Sequence, residues 1–535
     1  MTHLLSHLTV LQAASHKYPF AIAFQIARGT PSTPESISWE PISYQRFQQD
    51  VEIAARYWSH KLSADGAIPR DVVGLWLTGL HYNDVVTIYG VSRAGYVPQL
   101  LSLRLTCLKV VFDLLRAAGA RALVIDPAYS LDAAENVLSL PIHRSLAVQS
   151  MDEDSLAPLA PLPVPDSRDE TVMIFHTSGS TAGSPKLVLC SAAWIDSVVF
   201  KSHEACAPVD PNRQDVGTWI GSMCHIAQNF VLVGSMGHGS CVIQPMELAF
   251  GASELMMMVT HCRLNRLHMF ATALSGHIRN SRSDKNLLAC LKQLDTLMYT
   301  GLPLAVEEQR FAYEAKMKLL NIFGSTECNG MLISRRSGPG AHILRPLAGV
   351  EYRFQHIESG DAKECLQELV VCKSSPDCPS PALGRNPSSG DFHTGDLFTE
   401  TESGHYIFRG RADDWIKTCN GLRCDAGAIE ENILSACKGL VSACVVVGWG
   451  RPNPAVFVEP DGNTDMTNDD LRNVIVSRTR DFHVRRYMHE RIDSPEFVVV
   501  VQPGRLPRTA TKGNLQRKMV ELEYKELLDE VYGVH

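Results

Sequence analysis

Residues 72–101 read VVGLWLTGLHYNDVVTIYGVSRAGYVPQLL, and this stretch decides the fold class. It holds two short apolar runs, at 72–77 and 97–101, on either side of a helix-like pattern at 84–94. The chain then continues with a further helical pattern and another apolar run, at 122–125. Short strands that alternate with helices predict a parallel sheet with crossover helices, so an α/β fold is expected.

The chain has 535 residues, more than one hydrophobic core usually holds, so at least two domains are expected. From about residue 345 the pattern changes to β-rich pieces such as 367–372. We predict a large N-terminal domain, residues 1–412, made of two α/β subdomains plus a β-rich subdomain. We predict a small, mobile C-terminal α+β domain at 413–535, because the end of the chain combines a helical pattern at 428–436 with a charged helical one at 515–531.

Composition and charge exclude several classes of protein. Hydrophobic residues make up 45% and charged residues 20%, as in ordinary soluble proteins. The formal charge is −8 and no long basic run occurs, so we expect no nucleic-acid partner. The fifteen cysteines show no zinc-type spacing, so reduced thiols are expected. With neither a signal peptide nor a membrane span in the sequence, a cytoplasmic enzyme without a membrane partner is expected.

A loop rich in Thr, Ser and Gly follows the predicted strand 172–175. It reads HTSGSTAGSPK from His176 to Lys186. Small residues let backbone N–H groups approach an anion, hydroxyl groups donate hydrogen bonds, and a lysine neutralises charge, so the loop predicts a phosphate cradle. It is not a Walker A loop, because Ser184 stands where that spacing needs glycine. On composition alone, a flexible surface loop is the alternative.

Four more motifs follow this loop in order. They are NIFGSTE at 321–327, HTGD at 393–396, GRADDWIKTCNGLR at 410–423 and LPRTATKG at 506–513. With the loop, they make the chain resemble the acyl-adenylating superfamily, which includes acyl-CoA synthetases, beetle luciferases and adenylation domains of nonribosomal peptide synthetases. The match covers nearly the whole chain. It is most similar to fungal peptide-synthetase-like adenylation domains, including those of carboxylic acid reductases.

The resemblance implies an ATP site assembled from these motifs. It assigns the β- and γ-phosphates to the loop residues Thr177, Ser178, Gly179, Ser180, Thr181 and Lys186. It assigns the adenine ring, the α-phosphate and Mg²⁺ to Gly301, Phe323, Gly324, Ser325, Thr326 and Glu327, with Phe323 stacking on adenine, Thr326 on the α-phosphate and Glu327 on the metal.

The same resemblance assigns the residues of the later motifs. Asp396 and Arg411 are expected to bind the ribose, and Asp413 to be the hinge about which the small domain rotates. Arg423 is expected to approach phosphate in one of two orientations of that domain. Lys512 matches the lysine that contacts the substrate carboxylate and the α-phosphate, and so joins Thr326 and Glu327 as a catalytic residue.

Three departures from the family pattern support an alternative, a non-catalytic binding relative of the fold. The phosphate loop has one extra residue, Ala182 or Gly183, and Phe323 stands where tyrosine is usual. The order Lys512-Gly513 also reverses the familiar Gly-Lys. The charged residues of the site are nevertheless retained, which favours an enzyme.

The substrate pocket is expected around residues 221–230. Adenylation domains for α-amino acids usually carry an aspartate that pairs with the ammonium group, and His225 takes the corresponding place here. An unpaired buried ammonium would be costly, so we expect an acid without an α-amino group, such as an aryl acid. The pocket candidates are Cys224, His225, Gln228, Asn229, Phe230, Thr300 and Leu302.

The predicted reaction is therefore ATP- and Mg²⁺-dependent formation of an acyl-AMP from a small carboxylic acid. In the family a thiol then attacks the acyl-AMP to give a thioester. We expect the thiol of a carrier-protein phosphopantetheine, with coenzyme A in a free-standing ligase as the alternative.

Overall fold

A computed structural model describes residues 4–30, 36–102, 105, 107–129, 131, 135–151, 158–177, 185–335, 340–356, 366–411, 416–420, 422–462, 466–508, 515 and 517–533. Its internal contacts divide the chain into a large unit that ends at Gly410 and a small unit formed mainly by 411–535. The fold is mixed α/β, with a large N-terminal and a small C-terminal domain, as the alternating pattern predicted.

The helices and strands have the following bounds. The helices are α1 His7–Lys17, α2 Tyr44–Ala64, α3 Tyr82–Arg93, α4 Leu108–Ala118, α5 Ala192–Cys206, α6 Ile226–Gly237, α7 Ala252–His261, α8 Ala271–Asn280, α9 Lys285–Gln293, α10 Val306–Glu314, α11 Ala426–Ala436, α12 Asn468–Val484, α13 Arg517–Glu523 and α14 Lys525–Val531. The strands of the large unit are β1 Ile22–Arg28, β2 Ser38–Ser43, β3 Val72–Leu77, β4 Val97–Ser102, β5 Ala122–Ile125, β6 Ile142–Arg144, β7 Thr171–His176, β8 Leu187–Ser191, β9 Val216–Thr218, β10 Cys241–Gln244, β11 Arg266–Phe270, β12 Thr296–Thr300, β13 Leu319–Ser325, β14 Asn329–Ser334, β15 Ile343–Pro346, β16 Tyr352–His356, β17 Gln367–Val371, β18 Phe392–Glu402 and β19 His405–Arg411. The later strands are β20 Ile416–Lys417, β21 Arg423–Cys424, β22 Val441–Val447, β23 Ala455–Pro460 and β24 Val498–Val500.

The first sheet of the large unit confirms the predicted parallel pattern. Its strand order is β6-β5-β3-β4-β7-β8. Neighbours from β6 to β7 run parallel, and β8 returns antiparallel to β7. Strands β4 and β5 are buried along their whole length. Burial on both faces is why β5 appears in the sequence as a continuous apolar run, whereas β4 also buries Gln99, whose side-chain amide donates to the carbonyl oxygen of Leu114 at 3.0 Å.

The second sheet joins the other α/β region to the β-rich region. Within the described residues its order is β16-β17-β18-β19-β15-β14-β13-β12-β11-β9-β10-β1-β2. Strands β10, β9, β11, β12 and β13 run parallel, whereas β14 is antiparallel to β13 and begins the antiparallel part. The β-rich region is thus hydrogen-bonded to the α/β region through the β13–β14 pair.

Helices α5 and α6 lie between the two sheets. They pack against each other, and α5 also contacts β7 of the first sheet and β14 of the second. Both helices bury most of their residues, because a helix covered on both sides needs apolar side chains nearly all round. They therefore connect the end of β7 with the β13–β14 junction.

The small unit has its own hydrophobic core. Strand β23 pairs antiparallel with β22 and parallel with β24, and α11 and α12 pack on this sheet. The charged pattern at 515–531 is helical as predicted, in two short helices, α13 and α14. The break falls at Tyr524, whose ring packs against Phe457 with the ring centroids 5.0 Å apart.

Two features of the described residues bear on the classes considered from composition. None of the described helices is both long and apolar enough to cross a membrane. The described cysteines carry free thiols, and most of them are buried.

A substitution at Gly234 in α6 would test how closely α5 packs on α6. A Cβ atom at Gly234 would lie 2.5 Å from the carbonyl oxygen of Ser202 and 2.6 Å from the sulfur of Cys206. We expect Gly234→Ala to destabilise the large unit by about 1–3 kcal/mol, because α5 must move away. The measurement is the urea or thermal unfolding midpoint.

The matched control is Gly276→Ala in α8, where nothing lies within 4 Å of the added Cβ. Alanine there should raise stability by about 0.5–1 kcal/mol, because it suits a helix better than glycine. Equal unfolding midpoints for the two variants would contradict the packing argument.

Candidate functional site

The predicted adenine and metal motifs meet at the β13–β14 junction. Strands β12 and β13 are parallel neighbours, and Thr300 pairs with Ile322. The next residues, Gly301 and Phe323, therefore continue side by side at the carboxyl edge of this sheet. Gly301 has a φ of +90°, a conformation that glycine adopts most readily. Ligands of open α/β sheets bind at this edge, so the register brings the two motifs to a suitable place.

A bulge and a tight turn follow Phe323. The register of β13 and β14 shifts between Phe323 and Gly324, and a Cβ at Gly324 would lie 2.3 Å from the carbonyl oxygen of Asn329. The chain reverses over residues 326–328, and the N–H of Cys328 donates to Ser325 Oγ at 3.2 Å. The glycine and serine of the motif therefore have structural reasons to be present.

Thr326 and Glu327 lie in this turn, and both are half-buried. The indole Nε1–H of Trp194 on α5 donates to the main-chain oxygen of Glu327 at 3.1 Å. Among the described residues, the Glu327 carboxylate takes part in no hydrogen bond or ion pair, so it is available to a ligand.

This single carboxylate fits the way in which Mg²⁺ binds beside a nucleotide. No group of three or more His, Cys, Asp or Glu side chains that could hold a metal occurs within the described part of the chain. Mg²⁺ commonly uses one or two carboxylates together with substrate phosphates and water, so it does not need such a group. The residues present therefore fit a nucleotide-bound Mg²⁺ rather than a metal centre built from protein ligands alone.

Phe323 belongs to an aromatic cluster. Its ring lies 5.2 Å from the rings of Phe398 on β18 and Phe408 on β19, measured between centroids, and meets Phe398 edge to face. Only 8% of Phe323 is exposed. The cluster holds the ring at the edge of the sheet, and adenine stacking on it stays a prediction.

Asp396 lies on β18 close to this cluster. Burial alternates along residues 392–398, so Asp396 and Phe398 share the buried face of the strand. Asp396 is fully buried, and its N–H donates to Thr394 Oγ1 at 3.0 Å. The strand thus places the predicted ribose ligand on the same face as a ring that contacts Phe323.

The predicted pocket residues surround the start of α6, and two of them shape the preceding loop. The side-chain oxygen of Gln228 accepts hydrogen bonds from the N–H groups of Ile220, at 2.8 Å, and Gly221, at 3.3 Å. The side-chain amide of Asn229 donates to the carbonyl oxygens of Met223, at 2.6 Å, and His225, at 3.1 Å. These two amides therefore hold the loop in place.

The other pocket candidates differ in exposure. His225 is the N-cap residue of α6, and Phe230 is buried with its ring against the backbone of Gly330. Cys224 is buried, and burial raises the pKa of its thiol to about 12, so it is no thiolate nucleophile at neutral pH. Thr300 is half-buried at the end of β12, and Leu302 is buried.

The phosphate loop is described at its two ends. His176 ends β7, and burial lowers the pKa of its imidazole to about 4, so this side chain is neutral at physiological pH. Thr177 is half-buried directly after it, and Lys186 is exposed directly before β8. Ser178, Gly179, Ser180 and Thr181 lie outside the described residues.

The remaining predicted residues fall near or after the end of the large unit. Arg411 is the last residue of β19, and Arg423 is the first of β21. Asp413 and Lys512 lie outside the described residues, so their roles stay predictions.

Sequence reasoning missed the side chains that support the turn at 326–328. Trp194 and Lys201 on α5 bind main-chain oxygens of this turn, and Lys201 also pairs with Asp377. They belong to no motif and lie far from the turn in sequence, so no local signal could have found them.

Comparison with protein families and with known proteins identifies the family of this chain. The chain matches the AMP-binding enzyme family over residues 22–363 and the AMP-binding enzyme C-terminal domain over 413–534. It is 32% identical over 522 residues to the AMP-binding domain-containing enzyme iboA of Amanita muscaria, covering 94% of this chain and 98% of that protein. It is 23% identical over 476 residues to a carboxylic acid reductase of Neurospora crassa, covering 84% of this chain and 44% of that protein.

Solved structures share the fold. The o-succinylbenzoate CoA synthetase MenE of Bacillus subtilis has a TM-score of 0.70 at 17% identity, covering 97% of this chain and 98% of that one. An artificially fused adenylation–PCP di-domain, NpsA–ThdA of Klebsiella oxytoca, has a TM-score of 0.64 at 18% identity, covering 88% and 84%. The family match over most of the chain shows that the chain is an acid-adenylating ligase of the AMP-binding enzyme family.

Proposed function

We propose that this enzyme activates a carboxylic acid that lacks an α-amino group and passes the acyl group to a phosphopantetheine thiol. The proposed substrate class rests on one observation. Residues 219–230, the segment that surrounds His225, contain no acidic residue. A substrate ammonium buried there without a counter-charge would cost several kcal/mol, on the order of the penalty for any unpaired buried ion. A substrate acid that carries no charge apart from its carboxylate, such as an aryl acid, avoids that cost.

The side chain of Gln228 favours a substrate that carries a polar group in addition to its carboxylate. It is fully buried, and its Nε2 amide has no hydrogen-bond partner within the described residues. A buried donor without an acceptor is costly, so a substrate oxygen or ring nitrogen within reach would be favoured.

The chemistry requires no protein nucleophile. A carboxylate oxygen of the substrate forms a bond to the α-phosphorus of ATP as the bond to pyrophosphate breaks, which leaves acyl-AMP. The enzyme holds two anions in line and stabilises the charge that develops. Mg²⁺, when bound, neutralises phosphate charge during this displacement.

Each side chain of the site has a positioning or electrostatic role in this scheme. Phe323 would orient the adenine, and the two carboxylate oxygens of Asp396 suit the two hydroxyl groups of the ribose. Thr326 would donate to the α-phosphate, and Lys512 would neutralise charge on the carboxylate and the α-phosphate. The loop from Thr177 to Lys186 would hold the pyrophosphate that leaves.

In the second half-reaction a thiol sulfur forms a bond to the acyl carbonyl carbon, and AMP leaves. A carrier-protein phosphopantetheine is our proposed acceptor, supported by the similarity to a carboxylic acid reductase and by an adenylation–PCP structure of the same fold. Coenzyme A is the second candidate, favoured by the similarity to MenE, a CoA synthetase. The large domain at 1–412, the small domain at 413–535 and the hinge at Asp413 belong to this proposal, because the two half-reactions need different orientations of the small domain.

The substrate class is tested by pyrophosphate exchange into ATP with Mg²⁺ present, across benzoic, cinnamic, α-keto, fatty and amino acids. We expect exchange with an acid that has no α-amino group and none with the matched α-amino acid. Exchange confined to amino acids would overturn the assignment. Binding of ATP without exchange, for every acid, would favour the non-catalytic alternative.

Lys512 is tested by Lys512→Ala. We expect exchange to fall roughly a hundredfold or more, because an electrostatic contact to the transition state is lost. Thioester formation from a supplied acyl-adenylate should persist, since that step no longer involves pyrophosphate. Lys518→Ala, which removes an exposed lysine of α13 six residues later in the chain, is the control. An equal loss of exchange in both variants would show that any lysine of this part of the chain has the same effect, and Lys512 would lose its specific role.

Glu327 is tested by Glu327→Gln, which keeps the shape of the side chain and removes its charge. The Mg²⁺ concentration for half-maximal exchange should rise about tenfold, a change of roughly 1.4 kcal/mol. Glu307→Gln, on the exposed start of α10, should leave it unchanged. An unaltered Mg²⁺ dependence in Glu327→Gln would remove this residue from the metal role.

A further inference from the structure

Lys201 is a fully buried lysine on α5. Its Nζ lies 2.8 Å from Asp377 Oδ2 and donates at 2.7 Å to the main-chain oxygen of Cys328. Both charged side chains have 0% exposure. The pair therefore connects the interior of α5 directly to the residue that follows Glu327.

Asp377 is itself held from other directions. Ser375 Oγ donates to its Oδ1 at 2.6 Å, and the hydroxyl of Tyr352 donates to its Oδ2. Ser375 Oγ also accepts the N–H of Glu351 at 3.0 Å. The carboxylate is thus anchored to β16 and to the segment before β18, and its position does not depend on Lys201 alone.

A second contact from the same face of α5 reaches the same turn. Trp194 and Lys201 are seven residues apart, which is about two helical turns, so both side chains project from one side of α5. Trp194 Nε1 donates to the carbonyl of Glu327 at 3.1 Å and Lys201 Nζ to that of Cys328. One helix face therefore binds two successive carbonyl groups.

Two held carbonyl groups restrict the backbone of the turn that carries Glu327. The carbonyl of Glu327 defines the peptide plane between Glu327 and Cys328, and that of Cys328 defines the next plane. These two planes flank the Cα atom of Cys328, and the first of them also contains the Cα atom of Glu327. With both planes held, Cys328 N–H bound to Ser325 Oγ, and Ser325 paired with Asn329 at the start of β14, the Cα atom of Glu327 is held in place.

The contact between Lys201 and Asp377 is a buried ion pair, and this distinguishes a positioning role from a stabilising one. A buried ion pair contributes little net stability, because the cost of removing both charges from water offsets their attraction. A hydrogen bond from a charged donor is nevertheless stronger and more rigid than a neutral one. We propose that Lys201 and Asp377 are positioning residues that hold the turn at 326–328 in the geometry with which Glu327 meets nucleotide-bound Mg²⁺. The proposal rests on the metal role of Glu327 in the proposed function.

The large unit offers a matched control. Arg266 and Asp215 form a second buried ion pair, with a 2.9 Å contact and side-chain exposures of 3% and 1%. Arg266 likewise donates to main-chain oxygens, those of Cys206 at 2.7 Å and Ala207 at 3.0 Å. This pair resembles the first in burial and bonding but has no contact with residues 326–328.

The test compares two double variants, Lys201→Met with Asp377→Asn and Arg266→Met with Asp215→Asn. Each removes both charges together, so that neither leaves an unpaired buried ion. ATP binding is measured by calorimetry in the absence of substrate acid, once with Mg²⁺ and once without. The readout is the dissociation constant for ATP without Mg²⁺ divided by the constant with Mg²⁺, which we call the Mg²⁺ ratio. We expect both double variants to unfold at a lower temperature than the parent chain, because each removes the donor to buried main-chain oxygens. Only the Lys201→Met, Asp377→Asn variant should reduce the Mg²⁺ ratio, by about fivefold or more, because it loses a charged hydrogen bond to the turn.

Glu327→Gln separates this inference from the metal assignment. If Glu327→Gln removes the Mg²⁺ effect on ATP binding and the Lys201/Asp377 variant keeps it, the positioning role is wrong and the metal role stands. If Glu327→Gln also keeps the effect, the metal role fails and the inference fails with it. An equal reduction in both double variants would show a general loss of stability and would likewise overturn the inference.

A milder variant covers the case in which the Lys201/Asp377 variant does not fold. Trp194→Phe removes only the indole donor to Glu327 and keeps an aromatic ring in place. We expect it to fold and to reduce the Mg²⁺ ratio in the same direction by a smaller factor. An unchanged ratio in a folded Trp194→Phe protein would contradict the idea that α5 positions the turn that carries Glu327.

Discussion

The reversal of the chain at residues 326–328 is the constraint on which the rest of the large unit depends. Strand β13 is the last strand of the parallel part of the sheet, and β14 is the first of the antiparallel part. A tight turn between them needs the bulge at Gly324 and the hydrogen bond to Ser325. Because the turn lies where the strand direction changes, it brings the side chain of Glu327 to the edge at which open α/β sheets bind ligands.

Packing from two directions makes this turn rigid. On one side, α5 reaches it from between the sheets through Trp194 and Lys201. On the other, the aromatic cluster of β18 and β19 surrounds Phe323, just before the turn. The same β18 face carries Asp396. A site built this way gains its precision from the core, which is close-packed and resists displacement, rather than from the loops that meet the ligand.

Local patterns predicted many elements because the physical signal was local. The strands at 72–77 and 122–125 lie between helices and are buried, so their apolar runs were unambiguous. The residues around Glu327 were singled out because they match a motif of the acyl-adenylating family whose members stand close together in the chain. The interruption between α13 and α14 was not predicted, because the backbone of the one residue Tyr524 departs from the helix there and a single residue leaves no signature in helical periodicity.

The sequence by itself determined the α/β class, the acyl-adenylating family and the residues that form its motifs, because each of these depends on residues close together in the chain. Only the tertiary structure decided what supports the motifs. Lys201 and Asp377 are 176 residues apart, and each looks like an ordinary surface charge in its own segment. Gln228 and Asn229 were expected in the pocket, and their side chains form hydrogen bonds with main-chain groups of the loop before α6. Such partners are chosen by burial, since a polar group removed from water must bind whatever the fold brings within reach.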